Sequence, residues 1–91
     1  MVHTRKSQIK KLNIKLLDNM ALLFDWEIVE KKGEDYRMYR RGNIALKFTK
    51  ISPFGYKVIH YRDGNIIFSD VASHKEMGMS LLGEALGFER W

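Results

Sequence analysis

The sequence contains no cysteine, which excludes a disulfide framework, a thiolate metal site and a cysteine nucleophile, and makes a reducing, cytoplasmic setting the expectation. Long apolar runs are also missing. The longest, Met20 to Phe24, falls far short of the roughly 18 residues that a membrane span requires. The basic start, Met1 to Lys6, leads into an interrupted amphipathic pattern rather than the continuous apolar stretch of a signal peptide. No membrane partner is expected.

Catalytic signatures are as scarce. None of Ser7, Ser52, Ser69, Ser73 and Ser80 lies in a Gly-x-Ser-x-Gly elbow. Gly33, Gly42, Gly55 and Gly64 are isolated at turns and form no phosphate-cradling loop. His3, His60 and His74 lack the paired spacing of a zinc site. His60 would act as a general base only beside a carboxylate such as Asp70, and a histidine in mid-strand is more often structural. No catalytic, cofactor-binding or metal-ligating residue is assigned, and an enzyme is not expected.

What is present belongs to a globular chain. Of 91 residues, 45% are hydrophobic and 12% aromatic, enough for one core and too few residues for a second domain. The formal net charge of +5 hides an uneven distribution. Residues 1–15 carry Arg5, Lys6, Lys10, Lys11 and Lys15 without an acid, and residues 36–62 carry Arg37, Arg40, Arg41, Lys47, Lys50, Lys57 and Arg62 without one. Carboxylates dominate the two blocks between and after. Such blocks either neutralise one another in the fold or build an anion-binding face.

From about Lys6 to Phe24, Ile9, Leu12, Leu16, Met20 and Leu23 recur at steps of three and four, the period of a helix burying one stripe. Thr4 or Ser7 would cap it. A second series, Ile14, Leu17, Ala21 and Phe24, widens the apolar arc, so the helix is expected to touch both a sheet and another helix. Four glycine-bearing breaks then separate five short β-branched and aromatic runs between Trp26 and Asp70. Breaks this close leave no room for crossover helices and require an antiparallel meander. Ser73 to Glu76 reads as a capping box in which Ser73 caps the second helix. Met77, Leu81, Leu82, Ala85 and Leu86 form its stripe, and Gly87 is placed to end it with Phe88 packing behind. Gly78 and Gly83 within that helix invite a close approach to the sheet.

The reading is therefore one α+β domain over 1–91, in the order α-β-β-β-β-β-α: a basic amino-terminal helix over about 6–24, a meander of four to five strands over about 26–70, and a carboxy-terminal helix over about 74–86. The core is expected to hold Leu12, Leu16, Met20, Leu46, Phe48, Val58, Phe68, Leu81 and Ala85. The order of elements, with Ser73, Lys75 and Glu76 opening the last helix, is similar to a double-stranded-RNA-binding domain. The extra strands and the lack of a basic run at that helix depart from its pattern, and no family is assigned.

Tyr39 to Ile44 recurs 22 residues later as Tyr61 to Ile66, which suggests two hairpins built on one plan. Three-residue loops in both would gather Tyr36, Met38, Ile44, Leu46, Phe48, Val58, Ile66 and Phe68 on the core side. Arg37, Tyr39, Arg41, Lys47, Lys57 and Tyr61 would then share the open side, and a two-residue loop would scramble that assignment. Tyrosines stack on unpaired bases while arginines and lysines follow phosphates. Those six residues, with Lys11 and Lys15 of the basic helix, are the expected contacts for a nucleic acid, single-stranded by preference. The alternative is a protein-binding inhibitor or regulatory module that occludes a partner's surface, for instance that of a nucleic-acid enzyme. Its oligomeric state would be monomeric, or a homodimer through the amino-terminal helix.

Overall fold

A computed structural model describes residues 13–87. The elements run α1 (Ile14–Leu23), β1 (Glu27–Lys31), β2 (Tyr36–Arg41), β3 (Ile44–Lys50), β4 (Tyr56–Arg62), β5 (Asn65–Ala72) and α2 (Lys75–Leu86). The five strands form one antiparallel sheet in sequence order, so the fold is the α+β meander that the spacing of the turns requires. Both helices lie on one face of it: α1 packs on β1 and α2, while α2 packs on β3, β4 and β5. Among the described residues no helix is long and apolar enough to cross a membrane.

The first helix differs from its expected extent. Asn13 adopts an extended conformation and its side chain accepts a hydrogen bond from the Leu16 amide, 2.9 Å away. It is an N-cap, so the helix begins at Ile14 rather than running unbroken from residue 6. Thr4, Ser7, Lys11 and Leu12 lie outside the described residues. The stripe that α1 buries is Ile14, Leu17 and Ala21, leaving Leu16 and Met20 only half-buried. The cause is the second contact, because α1 meets α2 as well as β1 and turns the neighbouring series inward.

In α2 the cap is His74 rather than Ser73: its Nδ1 accepts from the Met77 amide. The helix ends as its sequence implies, at Gly87 in the left-handed region with φ of 112°, a conformation that a side chain makes costly. Phe88 lies outside the described residues. Met79, Leu82 and Leu86 provide the buried stripe, while Leu81 and Ala85 sit at its margin.

The core thus contains Leu17, Tyr39, Leu46, Phe48, Val58, Leu82 and Leu86 in full burial, with Trp26, Tyr56 and Met79 around them. Phe68, expected there, is 48% exposed: it lies on the helix side, but on the edge strand β5, at the end of the row in which Tyr39 and Leu46 are buried. Gly78 shows why a glycine stands inside α2. A Cβ there would lie 2.9 Å from the Tyr56 Cβ and 3.2 Å from the Phe48 ring. Gly78→Ala should overpack the helix–sheet contact at a cost of about 1–3 kcal/mol, against roughly 1 kcal/mol regained in helix propensity. Chemical denaturation is expected to show a lowered midpoint, and an unchanged or raised midpoint would mean that the helix shifts freely.

Candidate nucleic-acid interface

The positions of the side chains follow from two tight turns. Arg41 pairs with Ile44, so the β2–β3 loop is the two residues Gly42 and Asn43. Arg62 pairs with Asn65, and the β4–β5 loop is Asp63 and Gly64, both with positive φ, the conformation of a type I′ hairpin. The repeated sequence therefore folds in two ways, since the loop opens at Gly42 in one copy and at Asp63, one place earlier in the repeat, in the other. A shift of one residue exchanges the faces of a strand. Tyr39 consequently points under the helices while its counterpart Tyr61 points away from them.

This overturns the placement of Arg37, Tyr39 and Arg41 on the open face. Arg37 is 4% exposed and Tyr39 fully buried, and both are bound to Asp18 of α1. The Arg37 Nε and Nη2 donate to the Asp18 carboxylate at 2.9 to 3.1 Å, its Nη1 donates to the carbonyls of Gly33 and Tyr36, and the Tyr39 hydroxyl donates to Asp18 at 2.9 Å. Burial and the Asp18 charge hold the Tyr39 phenol well above its ordinary pKa. Arg41 lies on the helix side, its guanidinium 4.3 Å from the Trp26 ring and donating to the Phe24 carbonyl. These three residues tie helices to sheet.

Lys47, Lys57 and Tyr61 do lie on the open face, where the other side of β2 supplies Tyr36, Met38 and Arg40. The pairing sets them in three rows across the sheet: Glu27, Arg40, Ala45, Tyr61 and Ile66; then Glu30, Met38, Lys47, Ile59 and Ser69; then Tyr36, Thr49, Lys57 and Val71. Ile66, expected in the core, joins the first row because the register of β5 shifts between Phe68 and Ile66. The sequence reading missed Tyr36, Met38 and Arg40 as surface residues. Both faces of Tyr-Arg-Met-Tyr-Arg-Arg offer a tyrosine and an arginine, so only the loop length distinguishes them, and Gly-Asn between strands is itself a two-residue turn signal.

Within these rows Tyr36 is held rigidly. Its hydroxyl donates to Glu30 at 3.1 Å, and the ammonium groups of Lys32 and Lys47 stand 5.1 and 5.8 Å from its ring centre. Partial burial, followed by the Glu30 bond, raises its pKa, so the ring is neutral at physiological pH. Near the turns, the small side chain of Ala45 separates Arg40 from Tyr61 and floors an open groove of about 510 Å³, lined also by Met38, Gly42, Asn43, Ile44, Asp63 and Gly64. The two turns are fastened together at its end, where the Asp63 amide donates to the Asn43 carbonyl at 2.9 Å and the Asn43 side-chain amide to the Asp63 carboxylate at 3.2 Å. The groove offers a planar ring one phenol to stack on and a guanidinium opposite, though Arg40 also pairs with Glu27 at 3.1 Å.

Elsewhere the ionisable groups have structural employment. Asp35 accepts from the Tyr56 hydroxyl at 2.9 Å and lies 3.3 Å from the Lys75 ammonium. The Tyr56 bond first, and Lys75 after it, hold Asp35 below the usual carboxylate range, while burial and the same bond push Tyr56 up to about 12. His60 stacks on Phe68 at 3.9 Å and pairs with it, with Asp70 opposite Val58 instead. Burial lowers its pKa against the pull of Asp70. Lys15 is exposed on α1, the helix side of the sheet. Among the described residues no group of three His, Asp or Glu side chains is arranged to hold a metal ion. No family model, curated protein or solved structure matches the chain.

Proposed function

We propose that the protein binds single-stranded nucleic acid, with little sequence selectivity and without catalysis, across the helix-free face of the sheet. The observation that carries this reading is the groove at Ala45, with Tyr61 on one side and Arg40 on the other, continued along the face by Lys47, Lys57 and the braced ring of Tyr36. A base stacks on Tyr61, and the lysines follow the backbone. Glu27 and Glu30 place negative charge on the β1 side of that face and Asp63 at the turn end of the groove, leaving Lys47 and Lys57 of β3 and β4 as the track for phosphates.

Fluorescence anisotropy with labelled single-stranded and duplex oligonucleotides across a salt series tests it. Affinity is expected to fall steeply with salt, and Lys47→Ala should flatten that slope by about one released counterion. Tyr61→Ala should weaken single-strand binding by about 1–3 kcal/mol. Arg41→Ala, on the helix side, should change affinity far less than Arg40→Ala. Absence of binding at low salt, or equal effects of Arg40 and Arg41, would sink the proposal.

A further inference from the structure

We propose that the protein forms a two-fold dimer by antiparallel pairing of β5 with β5 of a second copy, joining two sheets into one of ten strands. β5 is an edge strand, and its eight residues span about 26 Å at 3.3 Å each. Edge strands left open are blunted in natural proteins by charge, bulges or shortness. The opposite edge follows that rule: β1 has five residues, including Glu27, Glu30 and Lys31, with its register broken between Ile28 and Glu30. β5 has one such break, a bulge at Ile67 where its register shifts between Phe68 and Ile66, but it is longer and less charged. It exposes Ile66, Ile67, Phe68 and Val71, each at 48–62% of full exposure, and it has no charged residue before Asp70.

Several observations identify the occupant as a second copy. The chain carries +5 overall, and every other strand contains lysine or arginine, whereas β5 has neither. It is thus the strand along which two such chains approach with least repulsion. Pairing of β5 with the charged β1 edge of another molecule would propagate into a filament, whereas β5 against itself closes after two copies. A two-fold axis normal to the sheet keeps both helical layers on one side, so facing residues must come from the same side of the strand. Because the bulge at Ile67 leaves Ile66 on the open face and Phe68 and Asp70 on the helix side, an axis through Phe68 would set Ile66 against Asp70 on opposite faces. The axis therefore passes through Ser69, and Asp70 does not meet its counterpart. The half-exposed Phe68 ring, already stacked on His60, gains cover there.

The proposal does not rest on nucleic-acid binding, although it would place both Tyr61 grooves on one continuous face. The absence of native cysteine permits a clean test, because antiparallel partners have Cα atoms about 4.5–5.5 Å apart, within reach of a disulfide. Single cysteines at residues 66 to 71 and at Leu23 are oxidised in the full chain, alongside sedimentation equilibrium of the unmodified protein. Expected are twice the chain mass and cross-linking that peaks at Ser69→Cys. Ile67→Lys should restore the monomer with unchanged far-UV circular dichroism, and Val71→Lys provides a second variant should the first fail to fold. A monomer at 100-fold the concentration used for binding assays, a cross-link strongest at Leu23→Cys, or a dimer indifferent to both lysine variants would overturn it.

Discussion

Asp18→Ala is expected to destabilise the fold by about 3–5 kcal/mol, the usual cost of removing one partner of a buried ion pair. Asp18 and Arg37 are 7% and 4% exposed, and no buried side-chain nitrogen or oxygen among the described residues lacks a partner. Truncating the carboxylate strands the Arg37 Nε and Nη2 donors and the Tyr39 hydroxyl together, while the Gly33 and Tyr36 carbonyls still hold Nη1. The residual positive charge is then buried without a counterion. Domains of this size are stable by only about 5–15 kcal/mol, so the loss should be plain in urea melts as a much lower midpoint at similar slope. Replacing Asp18 and Arg37 together by apolar residues should recover most of it. A midpoint unmoved by Asp18→Ala would show that water reaches Arg37 and that the pair does not fasten α1 to β2.

Trp26→Ala should cost a similar amount, about 3–5 kcal/mol, the range for deleting a large buried aromatic. Trp26 is 3% exposed at the point where β1 leaves α1. Its backbone amide donates to the Ala21 carbonyl at 2.9 Å, and its indole Nε1 donates to the Leu86 carbonyl, 60 residues away, at 3.0 Å. One ring therefore joins the end of α1 to the last turn of α2, and Arg41 covers its outer face. Trp26→Phe keeps most of the packing and removes the indole donor, so it should lose only about 1–2 kcal/mol. If the two variants lose equally, the hydrogen bond rather than the ring carries the effect. Protection of the α2 amides against hydrogen exchange is expected to fall in Trp26→Ala before that of β3 and β4, internal strands held by ladders on both sides.

These anchors explain how far the binding surface can be read from the chain. The face of β4 is legible, because Val58 is flanked by Lys57 and Ile59 in an alternation that only one orientation can bury, and Lys57 and Tyr61, both half-buried, lie on the other side accordingly. β3 is legible for the same reason in Leu46 and Phe48. β2 is not, since an arginine is a poor guide to a buried position: Arg37 lies inside because a carboxylate on a helix 19 residues earlier receives it. That partnership is non-local, and period-two patterning carries no trace of it.

By itself the sequence determined the order of the elements, the antiparallel meander, the left-handed stop at Gly87 and the places of Lys47, Lys57 and Tyr61 on the helix-free face, all of which depend on local periodicity and on turn chemistry. Tertiary structure decided the rest. A loop one residue shorter than expected reversed β2 and exchanged Tyr39 and Arg37 for Tyr36 and Arg40 on the open face. The contact of α1 with α2 chose between two apolar stripes of nearly equal quality. Phe68 was left half-exposed on the helix side of the edge strand β5. The turn at Gly42-Asn43 left a local signal, but the choice of stripe and the exposure of Phe68 rest on what another element places opposite the residue, and such information is not contained in the spacing of its neighbours along the chain.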